Sequence, residues 1–510
     1  MLATLNSFVI SGIEAVPVKV EVDIQNGLPA FDLVGLASQA TREARERVRA
    51  AIKNSAYEFP NRRIIVNLAP ADIKKEGGHF DLPIALGILL ASEQLENNLS
   101  GEYFLSGELS LNGEIRKIPG VLPMVLELVK SSKDIRLIIP KDNSEEASLV
   151  TEILSFPVRT LQEACEYFEN KTELKAVNPF NFNDVSNKQI LPDFADVKGQ
   201  DVAKRALQIA AAGLHNVLLI GPPGGGKTML ARRVPGILPE MSRQEILETT
   251  RIYSVANLLN PIHPLIDVRP FRAPHKNASS ASIIGGGKIP RPGEISLAQN
   301  GILFLDELPE FSRDVLEALR QPLEDKVVTI ARAQATHTYP ADFALISSMN
   351  PCPCGFFGSE VECKCTPLQI QKYLGRISGP LLDRMDLHVE VPRVEYEQLK
   401  ERSIGENSEI MLQRVKEARE MQKKRFKRQK ISLNSQMRPS EIRKHCMLDD
   451  ESEGLLKNAF ERLKMSARAY DRILKVARTI ADLEHSDKIK LQHLAEALQY
   501  RSLDRKYWHL

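Results

Sequence analysis

The chain carries short apolar runs of the length of buried strands. Asn216-Val-Leu-Leu-Ile220, Gly301-Ile-Leu-Phe-Leu-Asp306 and Ala341-Asp-Phe-Ala-Leu-Ile-Ser-Ser-Met-Asn350 are almost continuously apolar until their last residues. That is the pattern of strands covered on both faces of a parallel sheet. Helix-compatible stretches separate them, so residues 190–395 read as an α/β block. Upstream, Val18-Lys-Val-Glu-Val-Asp-Ile24 alternates and Arg63-Ile-Ile-Val-Asn-Leu68 runs apolar, which predicts two strands. Ser38–Asn54 reads as a helix, with Ala44, Val48 and Ala51 along it among five basic residues. Asp81–Ala91 reads as a buried helix with Pro83 near its first turn. Residues 1–168 form a first block, the Asn- and Lys-rich segment 169–189 a linker, and 396–510 an almost wholly helix-compatible third block.

Composition adds limits. A chain of 510 residues holds roughly two to four domains. A net charge of +2 excludes a global basic field, so a nucleic-acid surface must be a local patch. One candidate is Arg414–Lys430, with nine basic residues against two acids, read either as a DNA-facing helix or as a solvated charged face. The first residues carry no basic segment followed by an apolar one, and no window approaches ~18 apolar residues. Neither a signal peptide nor a membrane span is expected, and the location expected is cytoplasmic.

Chemistry enters at Gly221-Pro222-Pro223-Gly224-Gly225-Gly226-Lys227-Thr228, followed by Met229. Strand, G-x-x-x-x-G-K-[ST], helix is a phosphate-binding loop. Glycines let backbone N–H groups curl around phosphates, Lys227 reaches the β- and γ-phosphates, and the Thr228 hydroxyl ligates Mg²⁺. Asp306 and Glu307 end the second apolar run as a Walker B pair. Asp306 would hold the Mg²⁺ shell and Glu307 would orient the attacking water. Asn350 ends the third run and should emerge at the same carboxyl edge.

Six cysteines are present. Cys165 and Cys446 stand alone, while Cys352-x-Cys354 and Cys363-x-Cys365 make a cluster. Two close thiolate pairs could close a tetrahedral Zn²⁺ site. Free structural thiols and redox chemistry are the alternatives.

Further stretches carry a specific resemblance: Phe271-Arg-Ala-Pro-His275, Gly285-Gly-Gly-Lys-Ile-Pro-Arg-Pro-Gly-Glu294, Met349-Asn-Pro-Cys-Pro-Cys-Gly355 and Ile377-Ser-Gly-Pro-Leu-Leu-Asp-Arg-Met-Asp386. With the phosphate loop, the Asp-Glu pair and Asn350, they make the chain resemble the YifB/ComM family of magnesium-chelatase-like AAA+ ATPases over essentially its whole length. The resemblance implies an AAA+ P-loop core with a helical lid, preceded by a Lon-protease-like, ribosomal-S5-like α+β domain. In that domain Lys74–Asp81 and Ser106–Gly113 carry the likeness. The Lon nucleophile position falls on His79 and the base lysine on Leu122, so peptidase chemistry should be lost.

The same resemblance implies that Arg384 is an arginine finger entering a neighbour's site and Arg468 the sensor-2 arginine of the lid. The alternatives are a salt bridge from Arg384 to Asp383 or Asp386, and an ordinary exposed helix arginine at 468. A homohexamer follows from a finger donated in trans. Thr228 and Asp306 stand too far apart for a ~30-residue βαβ unit, so a segment is inserted between them. That insert holds Arg272, Lys276 and Lys288 and resembles the helix-2 insert of MCM-like motors. Lys326–Tyr339 resembles their pre-sensor-1 hairpin, with Arg332 near the turn. These residues would contact DNA. The implied activity is an ATP- and Mg²⁺-dependent DNA motor promoting branch migration, so that single-stranded DNA is integrated during natural transformation. Its partners would be single-stranded and branched DNA and a recombinase filament, with no membrane. A magnesium-chelatase ATPase subunit is the runner-up and a Lon-like protease the third reading.

Overall fold

The computed structural model describes residues 2–38, 41, 43–131, 134–182, 191–260, 263–287, 290–332, 335–395, 405–463 and 465–508. Contacts divide the chain into two compact units, Met1–Ser186 with Arg243–Ile266, and Asn187–Ser242 with Asp267–Leu510.

In the first unit, β1 (Leu2–Ser11), β2 (Glu14–Gln25), β3 (Ala30–Val34), β4 (Arg63–Ala69) and β5 (Glu102–Leu105) precede a short hairpin of β6 (Glu108–Leu109) and β7 (Ile115–Arg116). Two more strands follow, β8 (Ile135–Pro140) and β9 (Leu154–Val158). The long strands make a mixed sheet in the order β3-β4-β2-β1-β5-β8-β9. Alternation in β2 puts Val18, Val20 and Val22 in the core and Lys19 outside, as the sequence predicts. Asp81–Ala91 is a helix buried on nearly every side.

Of the expected Ser38–Asn54 helix, the structure describes Ala44–Asn54, with Ala44, Val48 and Ala51 buried. Ser38 N–H donates to Lys75 O at 2.9 Å and the Thr41 hydroxyl to the same carbonyl at 3.1 Å; residues 39, 40 and 42 lie outside the described residues. The basic face of that helix is also reduced. Arg47 Nε donates to the buried Asp81 carboxylate at 2.7 Å, and Arg49 lies over the Phe59 ring. Arg42 lies outside the described residues.

Residues Arg243–Val255 form a helix that packs on helix Val121–Val129 within this first unit, although the sequence places them in the ATPase block. Their anchor is the Ser254 hydroxyl, which donates to Glu146 at 2.5 Å. Glu146 is buried and also accepts from Leu122 N–H at 2.8 Å and Asn143 Nδ2 at 3.0 Å. Burial pushes this carboxyl up, and those three donors oppose the shift.

The second unit holds β10 (Val217–Ile220), β11 (Phe271–Arg272), β12 (Gly285–Gly286), β13 (Arg291–Pro292), β14 (Ile302–Leu305), β15 (Val327–Arg332), β16 (Ala335–Pro340), β17 (Ala344–Met349) and β18 (Leu387–Glu390). Five of these form a parallel sheet, β11-β14-β17-β10-β18. The other four pair as the hairpins β12–β13 and β15–β16. β10, β14 and β17 are the three apolar runs, wholly buried in the sheet's centre.

Helices dominate after residue 405, but they own no separate core. Leu219, Phe304 and Ile346 of the sheet, Ala206 and Ala210 of helix Asp201–Gly213, and Ile473, Ala477 and Ile480 of helix Ala467–Leu483 belong to one apolar cluster. Helix Ser408–Arg425 buries Met411, Val415 and Ala418. Arg419 donates to Ala211 O at 2.6 Å and Arg425 to Asp482 at 2.8 Å, so two cations of the basic run are structural. No helix among the described residues is long and apolar enough to cross a membrane.

Candidate nucleotide site

The phosphate loop joins β10 to helix Lys227–Ala231. Two glycines show why the loop needs them. A Cβ on Gly221 would run into Val391 O, and Gly226 sits at φ +86°, where side chains are strained. Gln200 braces the loop from outside, donating to Pro392 O at 2.7 Å and Gly225 O at 3.3 Å. Pro223 packs beside Gly355, Gly224 meets open space, and Met229 is exposed.

Lys227 is sunk into its own loop. Its ammonium donates to Gly221 O at 2.6 Å, Pro222 O at 2.9 Å and Asn350 Oδ1 at 3.1 Å. The Thr228 hydroxyl donates to Asp306 Oδ2 at 2.8 Å. Asp306 Oδ1 accepts from the Ser348 hydroxyl and from Glu307 N–H, the latter at 3.1 Å. Glu307 stands at φ +55°, and its carboxylate meets Lys276 Nζ at 2.5 Å. The strand order thus converges the ends of β10, β14 and β17 on one edge, where ligands of open α/β sheets bind. These residues fit a Mg²⁺-bound polyphosphate: a glycine loop, a cation sunk among oxygens, and a hydroxyl aligned with a carboxylate.

Burial pulls Lys227 down to about 8, against the opposing pull of Asp306 and Glu307. The ammonium is therefore mostly charged at neutral pH and is lost as pH rises through that value. A polyphosphate beside it favours the charged form, so nucleotide uptake should draw in a proton above that pH. Affinity should fall by up to about tenfold per pH unit there. Calorimetry in buffers of different ionisation enthalpy checks this. Affinity that stays flat from about pH 7 to about pH 9, without proton uptake, would contradict it.

Arg384 and Arg468 form a second cluster, on Glu324. Arg384 pairs with Glu324 and donates to Pro380 O at 2.5 Å, and its side chain is only 6% exposed. Arg468 lies 3.7 Å from the same carboxylate and is 60% exposed. Neither alternative partner of Arg384 is used. Asp383 accepts from Ser466, and Asp386 is taken by Arg472, His215 and Asn216 N–H. Burial alone would raise Asp386, but Arg472 and His215 outweigh it and hold the carboxyl far below its usual range. Among the described residues, no hydrogen bond or ion pair joins Arg384 or Arg468 to the phosphate-loop cluster.

The basic residues expected on DNA divide. Arg272 makes a bidentate pair with Glu294 at 2.7 and 2.8 Å, and Lys276 is on Glu307. Lys326, at the foot of the β15–β16 hairpin, pairs with Asp342 at 3.2 Å. In this structure all three are held by carboxylates. Arg332 is at the far end of that hairpin, in register with Ala335. Lys288 lies outside the described residues. The two hairpins touch: Tyr339 donates to Pro290 O at 2.8 Å, and a Cβ on Gly285 would lie 2.7 Å from Ile330 Cδ1.

In the first unit, His79 is buried, its ring tilted against Phe80 with centroids 4.3 Å apart, and drawn down by burial to about 4. Leu122 is fully buried. Sequence reasoning missed Ser348, Gln200 and Glu324. Ser348 alone carried a signal, as a polar residue two places before Asn350 in an apolar strand.

A parallel sheet in this order, with phosphate loop, acid pair and asparagine on its carboxyl edge, defines an AAA+ P-loop ATPase with a helical C-terminal part. Residues 193–399 match the family described as magnesium chelatase, subunit ChlI. Residues 20–143 match subunit ChlI of Mg-chelatase, and 405–501 its C-terminal part. The chain is 47% identical over 500 residues to the YifB protein of Escherichia coli (strain K12), covering 98% of this chain and 97% of that one. It is also 47% identical over 512 residues to competence protein ComM of Haemophilus influenzae, covering 99% and 98%. The 67 kDa magnesium-chelatase subunit of Chlorobaculum parvum is 25% identical over 160 residues, 31% of this chain and 23% of that one. The chain belongs to the YifB/ComM family of magnesium-chelatase-like AAA+ proteins. That family implies ATPase activity with ATP and Mg²⁺.

Proposed function

We propose that the protein is a hexameric, ATP-driven DNA motor that promotes branch migration, a reading compatible with a relative named as a competence protein. The observation carrying this reading is the packing of two hairpins, β12–β13 and β15–β16, against each other, with Arg291 exposed on one and Arg332 at the end of the other. Repeated around a ring, they give circles of cations that follow phosphates without reading bases.

ATP binds with its phosphates in the loop of Gly221–Thr228 and Lys227 against them. Thr228 and Asp306 would hold Mg²⁺, which supplies charge neutralisation at the phosphate oxygens. Glu307 leaves Lys276 and orients water for attack, and Asn350 fixes Lys227. Arg384 and Arg468, gathered on Glu324, serve the adjoining subunit's site. Identity of 47% along the length of ComM, against 25% over 160 residues of the 67 kDa magnesium-chelatase subunit, favours the competence reading over metal insertion. A buried, neutral His79 and a buried leucine at 122 weigh against proteolysis.

Branched or single-stranded DNA should stimulate ATP turnover. Arg332→Ala should keep basal ATPase within about twofold yet lose junction unwinding, with a shallower salt dependence of DNA binding. Normal unwinding by that variant removes the hairpin from the DNA path. Stimulation by protoporphyrin but not by DNA would favour the chelatase reading.

A further inference from the structure

Between β17 and helix Pro367–Leu374, the chain runs for 17 residues (350–366) without a helix or strand. Loops of that length rarely hold one shape without a staple. Here the four cysteines meet. The sulfurs of Cys352, Cys354, Cys363 and Cys365 lie within 4.8 Å of one another. Cys352 and Cys354 are 3.3 Å apart, Cys352 and Cys363 3.7 Å, and Cys354 and Cys363 3.6 Å. All are free thiols, with no disulfide drawing any pair together.

A tetrahedral zinc site with Zn–S bonds near 2.3 Å puts its sulfurs ~3.8 Å apart. The observed spacing matches one ion and is too tight for ligands spread over several irons. Backbone N–H groups already point at sulfur: Gly355 and Phe357 at Cys352, at 3.2 and 3.3 Å, and Cys354 at Cys365, at 3.4 Å. Such donors stabilise thiolate ligands. Four sulfurs leave no open coordination position, which makes the site structural, not catalytic.

We propose that Cys352, Cys354, Cys363 and Cys365 bind one Zn²⁺, and that this ion clasps the loop that holds Asn350 against the phosphate loop. Two contacts define the clasp. Cys352 is two residues from Asn350, whose Oδ1 accepts from Lys227 at 3.1 Å. Gly355, at φ +88°, packs so closely on Pro223 that a Cβ would lie 2.6 Å from Pro223 Cδ. The zinc-bound turn therefore touches both the phosphate loop and the residue that orients its lysine. Asn350 is a positioning residue in this scheme, and the cysteines position it in turn.

Elemental analysis of the full-length protein, purified without chelators, should find about one zinc per chain. The double substitution Cys363→Ser, Cys365→Ser should lower this below a tenth, while Cys165→Ser keeps it. The zinc-free variant should bind a fluorescent ATP analogue roughly tenfold more weakly, the scale of one lost hydrogen bond to a charged group. Zinc absent from the wild type, iron in its place, or zinc retained by the double variant would overturn the metal assignment. Zinc lost with nucleotide affinity unchanged would overturn the clasp. Should the variant precipitate, zinc content of the wild type, and its release when a mercurial thiol reagent is added, still decide the metal question. The metal measurement is independent of the nucleotide reading, so failure of one does not conceal failure of the other.

Discussion

Lys227→Ala should leave a folded protein that hydrolyses ATP at least about a thousandfold more slowly than the wild type, the scale of removing a preorganised donor from a developing charge. The ammonium is held by two carbonyls of its own loop and by Asn350, so its position is fixed before any phosphate is present. Alanine removes the charge and leaves those three acceptors to water. The fold should tolerate this, because Lys227 bonds only to oxygens at the loop and strand edge, and its burial already works against its charge. Melting by circular dichroism should therefore shift by only a few degrees, on the order of 1 kcal/mol. Steady-state phosphate release and nucleotide binding are the decisive measurements. A variant keeping a tenth of wild-type turnover would take Lys227 out of the site.

How much of this was legible before the structure depended on range. β10, β14 and β17 announce themselves because strands buried on both faces must be apolar throughout, and their terminal residues then fall on one edge. The hairpin of Lys326–Tyr339 was readable from alternation, and the structure pairs Val327–Arg332 with Ala335–Pro340. Pairings across long separations were not readable. Arg47 meets Asp81, Lys276 meets Glu307, and Arg425 meets Asp482, each taking a cation that local charge counts assign to solvent or DNA. The helix Arg243–Val255 was unreadable for a related reason: its sequence lies between ATPase strands, but Ser254 and its apolar face pack within the first unit. Periodicity says that a face is buried, not what buries it.

Arg384 is where the proposed ring and the single chain make opposite demands. A finger must reach a neighbour's γ-phosphate, yet this side chain is 6% exposed and paired with Glu324. Arg468 shares that carboxylate, so the two arginines are presented together and Glu324 stores both. If Arg384 works in trans, Arg384→Ala should bind ATP as the wild type does while turnover falls roughly 10³-fold or more. Lys227→Ala fails for a different reason, since it spoils the receiving half of the interface. Mixing the two inactive variants in equal amounts should then regenerate competent interfaces. Wherever an Arg384→Ala subunit supplies the phosphate loop and a Lys227→Ala subunit supplies the arginine, both halves are intact. Random assembly into a head-to-tail ring makes about a quarter of interfaces competent, and activity should recover toward that fraction. An arginine acting within its own chain gives no recovery at any ratio, because each subunit would still lack one half. Glu324→Gln separates storage from function: it weakens the hold on Arg384 without removing the arginine, so turnover should be kept or raised. A collapse of turnover in that variant to the level of Arg384→Ala would instead show that the Glu324 contact is part of the working site.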